Sequence, residues 1–283
     1  MHQKALLVVA AGFLVLCGRV DSITEDESSR NLVTSGEPVD PDADPPIDMF
    51  PNFALIEGVY TTNDATFLCG GALLKGDIVL TSAVCLDNIA VNLTDVKVHV
   101  NISSRTDDND GKITRGIASY VAHEDFDYDS DDWFLYDIAI VQLDQKIEGL
   151  EDLVYNRKIG VPNPNEKVHV FGFGTTSEDV MDSFTDVPNR ATLSVVNHGT
   201  CNNADAWYNG QLENLKHLCA SGDSSEDPSQ DTCLGDTGAP LLALVDGEYQ
   251  VVGITSGGDG CGRSEVPGFY TRTSNHWSFI RNR

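Results

Sequence analysis

Asp231-Thr232-Cys233-Leu234-Gly235-Asp236-Thr237-Gly238-Ala239-Pro240 is the stretch from which the rest of the chain is read. Two glycines bracket an acid and a hydroxyl residue, so the backbone can turn sharply and present Thr237. A threonine hydroxyl can attack a carbonyl, but its methyl group stiffens the rotamer and crowds the approach, and a base must take its proton. On both sides of this loop, from Phe50-Pro51-Asn52-Phe53 onward, short runs of Val, Ile, Leu, Phe and Tyr alternate with turn-rich segments. Val96, Val98, Val100 and Ile102 repeat with a period of two, as does Lys167-Val168-His169-Val170-Phe171, and this spacing predicts an all-β fold. Helical patterns are confined to Trp207 to Leu215 and to the terminal Asn275-His276-Trp277-Ser278-Phe279-Ile280.

The quoted loop resembles the Gly-Asp-Ser-Gly-Gly-Pro loop of the chymotrypsin/trypsin serine peptidases. In that family the glycine turns backbone N–H groups inward as an oxyanion hole, the aspartate locks the turn and the serine attacks the substrate. The resemblance assigns Gly235 and Asp236 to the oxyanion loop and Thr237 to the nucleophile position. Thr81-Ser82-Ala83-Val84-Cys85, which follows Cys69-Gly70-Gly71-Ala72-Leu73-Leu74, is similar to the family's Thr-Ala-Ala-His-Cys segment, with Val84 where the basic histidine stands. Tyr136-Asp137-Ile138-Ala139-Ile140-Val141-Gln142-Leu143 resembles the strand bearing the orienting aspartate, so Asp137 is left with nothing to orient. Gly172-Phe173-Gly174 stands for the family's Gly-Trp-Gly, and the final segment is similar to its closing helix. The likeness spans about Phe50 to the C-terminus and implies two antiparallel six-stranded β-barrels with the relic site between them.

No other histidine substitutes for the missing base in this reading. His123, His169, His198, His217 and His276 map outside the expected cleft, and a base must come within hydrogen-bond reach of Thr237. Loss of the base alone removes most of what such a triad contributes, on the order of a million-fold in a related system. The specificity pocket is better kept: Asp231 matches the pocket-floor acid of trypsin-like members, Gly258 and Gly268 match the wall glycines that admit a long basic side chain, and Ser256 is retained. Gly257 replaces a wall tryptophan, which removes an aromatic surface and widens the cleft. An alternative to a pocket that accepts Arg or Lys is an inherited acid, solvated or bonded locally.

Residues 1–22 read as a signal peptide, with Lys4 before the apolar run Ala5 to Cys17, and imply a secreted protein without a membrane span. Outside that leader stand Cys69, Cys85, Cys201, Cys219, Cys233 and Cys261, an even set that argues for disulfides, and six cysteines allow fifteen pairings. The family resemblance implies Cys69 with Cys85, Cys201 with Cys219 and Cys233 with Cys261; a further bridge of many relatives falls at Val168 and Ala243, both lost together. The net charge of -26 excludes nucleic acid and anionic membranes as partners and points to solvated loops or a basic protein surface. Residues 23–49 form an acidic, Pro-rich segment preceding a peptidase-like domain over 50–283. Arg30-Asn31-Leu32-Val33 within it is a poor match to the family's activation site, so Asp236 is expected to lack its usual partner. A second acidic run, Glu124 to Asp132, includes Asp125, Asp127, Asp129 and Asp131. Asn92-Leu93-Thr94 and Asn101-Ile102-Ser103 are glycosylation sequons. Asp107, Asp108 and Asp110 cluster in a loop that broadly corresponds to a calcium loop of some relatives, although the run lacks the ligand pattern of an EF-hand and reads first as an acidic turn. The resemblance thus implies a secreted, non-catalytic serine protease homologue acting by binding, as a cofactor, decoy or regulator in an extracellular proteolytic or immune cascade, with a basic peptidase or its propeptide as the expected protein partner. Alternatives are a peptidase using Thr237 as nucleophile, or a structural secreted glycoprotein.

Overall fold

Phe53 and Leu55 face one way along the first strand and Ala54 and Ile56 the other, and this alternation places the chain between two cores. The computed structural model describes residues 51–87, 91–108, 111–130, 133–176, 184–208, 210–222, 229–263 and 265–282. The expected leader at 1–22 and the acidic segment at 23–49 lie outside them. The N-terminal half holds β1 (Phe53–Val59), β2 (Thr66–Lys75), β3 (Ile78–Thr81), β4 (Lys97–Val100), β5 (Ile113–Arg115), β6 (Ile117–Ala122) and β7 (Ala139–Leu143). They pair antiparallel in the order β5-β4-β1-β2-β3-β7-β6. Only Gly116 separates β5 from β6, and β5 pairs with β4 at one end while β6 pairs with β7 at the other. One bent strand therefore joins the two ends of the sheet, and the count of seven reduces to a barrel of six. A Cβ at Gly116 would approach Asp144 Oδ2 to 2.8 Å, so the bend is built around a residue without one.

The C-terminal half holds β8 (Lys167–Gly172), β9 (Asn189–Val196), β10 (His217–Gly222), β11 (Pro240–Val245), β12 (Glu248–Gly257) and β13 (Gly268–Arg272), closed in the order β10-β13-β12-β11-β8-β9. β9 alternates strictly between buried and half-buried residues, whereas β8 is buried on both faces after Lys167, so its period-two pattern marks a strand without marking a solvent face. Ala54, Ile56, Leu73, Val79, Val98 and Val100 fill the first barrel. Leu55, Leu80 and Ile140 instead pack with Val170, Leu241 and Ile254, so the seam between the barrels is continuous with the second core.

One helical expectation is corrected. The described residues between Trp207 and Leu215 form turns, because Gly210 takes φ +79° and the rings of Trp207 and Tyr208 are drawn onto Phe269. The short helix α1 forms earlier, at His198–Asn202, where the Asn197 side chain accepts from Gly199 N–H at 2.9 Å. Gly199 hid it from a propensity reading. The closing helix α2 is present at Trp277–Arg281. All three disulfides join the expected partners, with Cα–Cα separations of 6.2, 6.3 and 5.3 Å for Cys69–Cys85, Cys201–Cys219 and Cys233–Cys261. The register Leu242↔His169 sets Ala243 beside Val168, both buried, where the lost bridge would stand.

A candidate active-site cleft between the barrels

The loop leading into β11 is locked before it meets any ligand. Gly235 and Gly238 adopt φ +95° and +87°, conformations that a side chain would strain. Asp236 N–H donates to Cys233 O at 3.0 Å and Ala239 N–H to Asp236 O at 2.9 Å, closing a tight turn with Thr237 at its crest. The Asp236 carboxylate points inward, accepting from Gly174 N–H at 2.8 Å and Cys233 N–H at 3.0 Å. A Cβ at Gly172 or Gly174 would collide with that carboxylate, which is the physical reason for both glycines. Asp236 is thus satisfied by backbone amides, and burial raises its pKa to about 6.

Thr175 N–H holds Leu234 O at 2.7 Å, so the trans peptide aims Gly235 N–H the opposite way. Gly235 N–H and Thr237 N–H donate to nothing among the described residues, and both residues line the cleft. Thr237 O accepts from Gly70 N–H of β2 at 2.7 Å, which fixes the loop of one barrel against a strand of the other.

Val84 lines the same cleft. Behind it Asp137 is fully buried, and its oxygens are occupied: Ser82 Oγ donates to Oδ1 at 2.5 Å, Val84 N–H to Oδ1 at 2.9 Å, and Ser256 Oγ to Oδ2 at 2.5 Å, with a further backbone bond from Ala83. Burial raises this carboxyl to about 6 in spite of those donors. The Ser82 hydroxyl sits in the quoted Thr-Ser-Ala-Val-Cys segment, but its direction becomes visible only in the fold.

Asp231 closes the pocket floor, 4% exposed, accepting from Thr232 N–H at 2.8 Å and Gly262 N–H at 3.0 Å. Burial raises its pKa to about 7, opposed by those two bonds and assisted by Asp236. A Cβ on Gly268 would stand 3.2 Å from Asp231 Oδ1, 3.4 Å from Tyr270 Oη and 3.5 Å from Thr232 Oγ1, so three polar groups converge where Gly268 leaves space. At Gly257 a Cβ would lie 3.0 Å from the Phe269 ring. Here the expectation of a bare wall needs correction, because Trp207, 40% exposed and 5.9 Å from the Phe269 centroid, supplies an aromatic surface from another part of the chain. The cleft encloses about 150 Å³ and gathers Val84, Thr237, Gly235, Asp231, Ser256, Gly257, Gly258 and Gly268, with Phe184 and Tyr60 added by the fold.

The Trypsin family model matches residues 53–280, which covers both barrels and every residue of this cleft. The chain belongs to the trypsin family. Among relatives of known name, mouse tissue-type plasminogen activator is 30% identical over 76% of the chain, a match spanning only 39% of that longer protein. Snake venom serine protease KN11 of Trimeresurus stejnegeri is 29% identical over 98% of the chain and 95% of its own length. Phenoloxidase-activating factor 3 of Holotrichia diomphalia is 27% identical over 98% of the chain and 82% of its own length.

Other predicted positions of this trypsin-family chain lie away from the cleft. Asn92 and Asn101 are exposed; Asn92 bonds Asp95 at 2.8 Å, and Asn101 takes φ +52° and bonds Gly111 O at 3.1 Å. Asp108 pairs with Lys112 at 3.3 Å, Asp107 is exposed beside it, and Asp110 lies outside the described residues. Asp125, Asp127 and Asp129 are exposed, while Asp131 lies outside the described residues. His123 packs among Tyr136, His276 and Phe279. His217 and His276 are buried and held near pKa 4 by desolvation. No histidine or lysine is among the described residues that line the cleft. No described helix is long and apolar enough to cross a membrane.

Proposed function

We propose that this trypsin-family chain is secreted and non-catalytic, and that it acts by binding within an extracellular proteolytic cascade. The observation that carries the reading is the pairing of Val84 with Asp137: the base position is aliphatic, and hydroxyl and amide donors take up the carboxylate that an imidazole would otherwise engage. A hydroxyl at Thr237 with no base beside it keeps its proton at neutral pH and is a poor nucleophile. The partner fits a basic surface, such as the catalytic domain or propeptide of an active peptidase, because the chain carries net charge -26 and the cleft floor is acidic. The likeness to a phenoloxidase-activating factor supports a place in such a cascade.

Purified protein should leave Arg and Lys ester substrates uncleaved and should not react with a fluorophosphonate. Labelling at Thr237, lost in Thr237→Ala, would overturn the reading. The free N–H groups of Gly235 and Thr237 favour one second reading, in which the cleft still accepts an oxyanion and Thr237 acts as an unusual nucleophile. The same labelling experiment separates the two.

A further inference from the structure

A second cavity, of about 210 Å³, shares no lining residue with the cleft. Its walls include Pro162, Pro164, Asn197, His198, Asn214 and Arg272, and no aspartate or glutamate is among the described residues that line it. Arg272 ends β13 and is 9% exposed. Its Nε donates to His217 O at 2.8 Å and its Nη1 to Val161 O at 3.4 Å, while Nη2 has no partner among the described residues. Burial lowers its pKa, to about 10, and no carboxylate among the described residues pairs with it. In a chain with 44 acidic residues, a cation buried without one is an exception. His198 lines the same cavity, and its Nδ1 is buried with no hydrogen-bond partner among the described residues. Burial, and then the charge of Arg272, lower the His198 pKa.

The Arg272 guanidinium, with an N–H unused among the described residues, and the His198 ring thus line one void. An oxyanion supplies what the guanidinium lacks there: a countercharge and acceptor oxygens, which match the planar fork of arginine. The volume exceeds the roughly 30 Å³ share of one water by enough to admit a four-oxygen anion. We propose that this cavity is a binding site for a small inorganic oxyanion, phosphate or sulfate, held by Arg272 Nη2 and the His198 ring. The titratable groups lining it are Arg272, His198 and His217, and His217 is already engaged with Phe134 O and Glu213 O.

The test is an NMR titration of the full chain, labelled on histidine nitrogens, with sodium phosphate and then sodium sulfate against sodium chloride at fixed ionic strength and pH 7. Phosphate or sulfate should shift the His198 ring saturably while leaving His99 in place, and should bind at least tenfold more tightly than chloride. Arg272→Met should weaken this at least tenfold. If that variant fails to fold, Asn214→Phe, which fills the cavity and keeps Arg272, should produce the same loss. A His198 shift no larger than that of His99, equal response to chloride, or an unchanged affinity in the variant that folds would overturn the proposal.

Discussion

Asp137 shows how a single buried carboxylate is held in place by hydroxyl and amide donors. Two hydroxyl donors at 2.5 Å, from Ser82 and Ser256, reach opposite oxygens of a group with no exposure to solvent. Removing either leaves a buried acceptor short of a partner, so Ser82→Ala and Ser256→Ala should each destabilise the fold by about 1.5–3 kcal/mol. Urea denaturation of both single variants and the double would read this, with coupling expected because they share one carboxylate. The pocket-floor acid yields a pH prediction. Asp231 ionises near 7 when folded against 3.8 in an ordinary setting, so the folded state holds a proton that the unfolded chain has lost. Its contribution is full below pH 3.8 and disappears as pH rises through 7. His217 and His276, lowered to about 4, act in the opposite sense, losing stability as pH falls below 6.5. At pH 6.5 each unfolded histidine is still half protonated, so over the next pH unit the two histidines gain stability while Asp231 loses it. The stability of the native chain relative to Asp231→Asn should therefore fall by about 0.8 kcal/mol between pH 6.5 and 8, a difference in which the histidine contributions cancel.

At the scale of elements, β2 and the loop before β11 are joined through glycines. A Cβ on Gly70 would lie 2.5 Å from Ala239 Cα, and one on Gly238 would run into Thr81 Oγ1 and Gly70 O. Thr81 Oγ1 in turn donates to Gly70 O at 2.7 Å. Gly70→Ala should thus force backbone apart at the seam and destabilise the protein by more than ~3 kcal/mol, read as a loss of at least several degrees in Tm against Gly149→Ala, where a Cβ meets nothing. Although φ +87° makes the Gly149 control mildly strained, it has no clash to add. The sequence disclosed these elements unevenly. Gly235, Gly238 and the cysteine set were readable because turn chemistry and disulfides depend on residue type at fixed places. Trp207 as a cleft wall was not, because its position follows from packing on Phe134 and Phe269, remote in sequence. Nor was the barrel closure at Gly116, since a bend of one residue leaves the period-two pattern intact. The Arg272 and His198 cavity was equally invisible, being defined by which acids are absent from its walls.

The whole molecule is an acidic body with a cleft of mixed character. Asp125, Asp127 and Asp129 stand exposed on one loop, where their field reaches solvent and is screened within about 8 Å at physiological salt. Association with a basic partner should slow steeply between low and physiological salt, and neutralising those three together should flatten the dependence. Surface plasmon resonance at graded salt concentrations would measure it, and a rate indifferent to salt would remove the acidic surface from the interface. Asp231→Ala should leave the association rate alone and speed dissociation when a basic side chain fills the pocket. The bond from Gly70 N–H to Thr237 O has a further consequence, for the order of events during biosynthesis. The cleft draws one wall from each barrel, so neither half can display it before the other has closed and docked. Such pairings between distant parts of a chain form late and slowly. A partner that recognises the completed cleft would therefore distinguish finished molecules from nascent ones, and binding would double as a report that folding is complete.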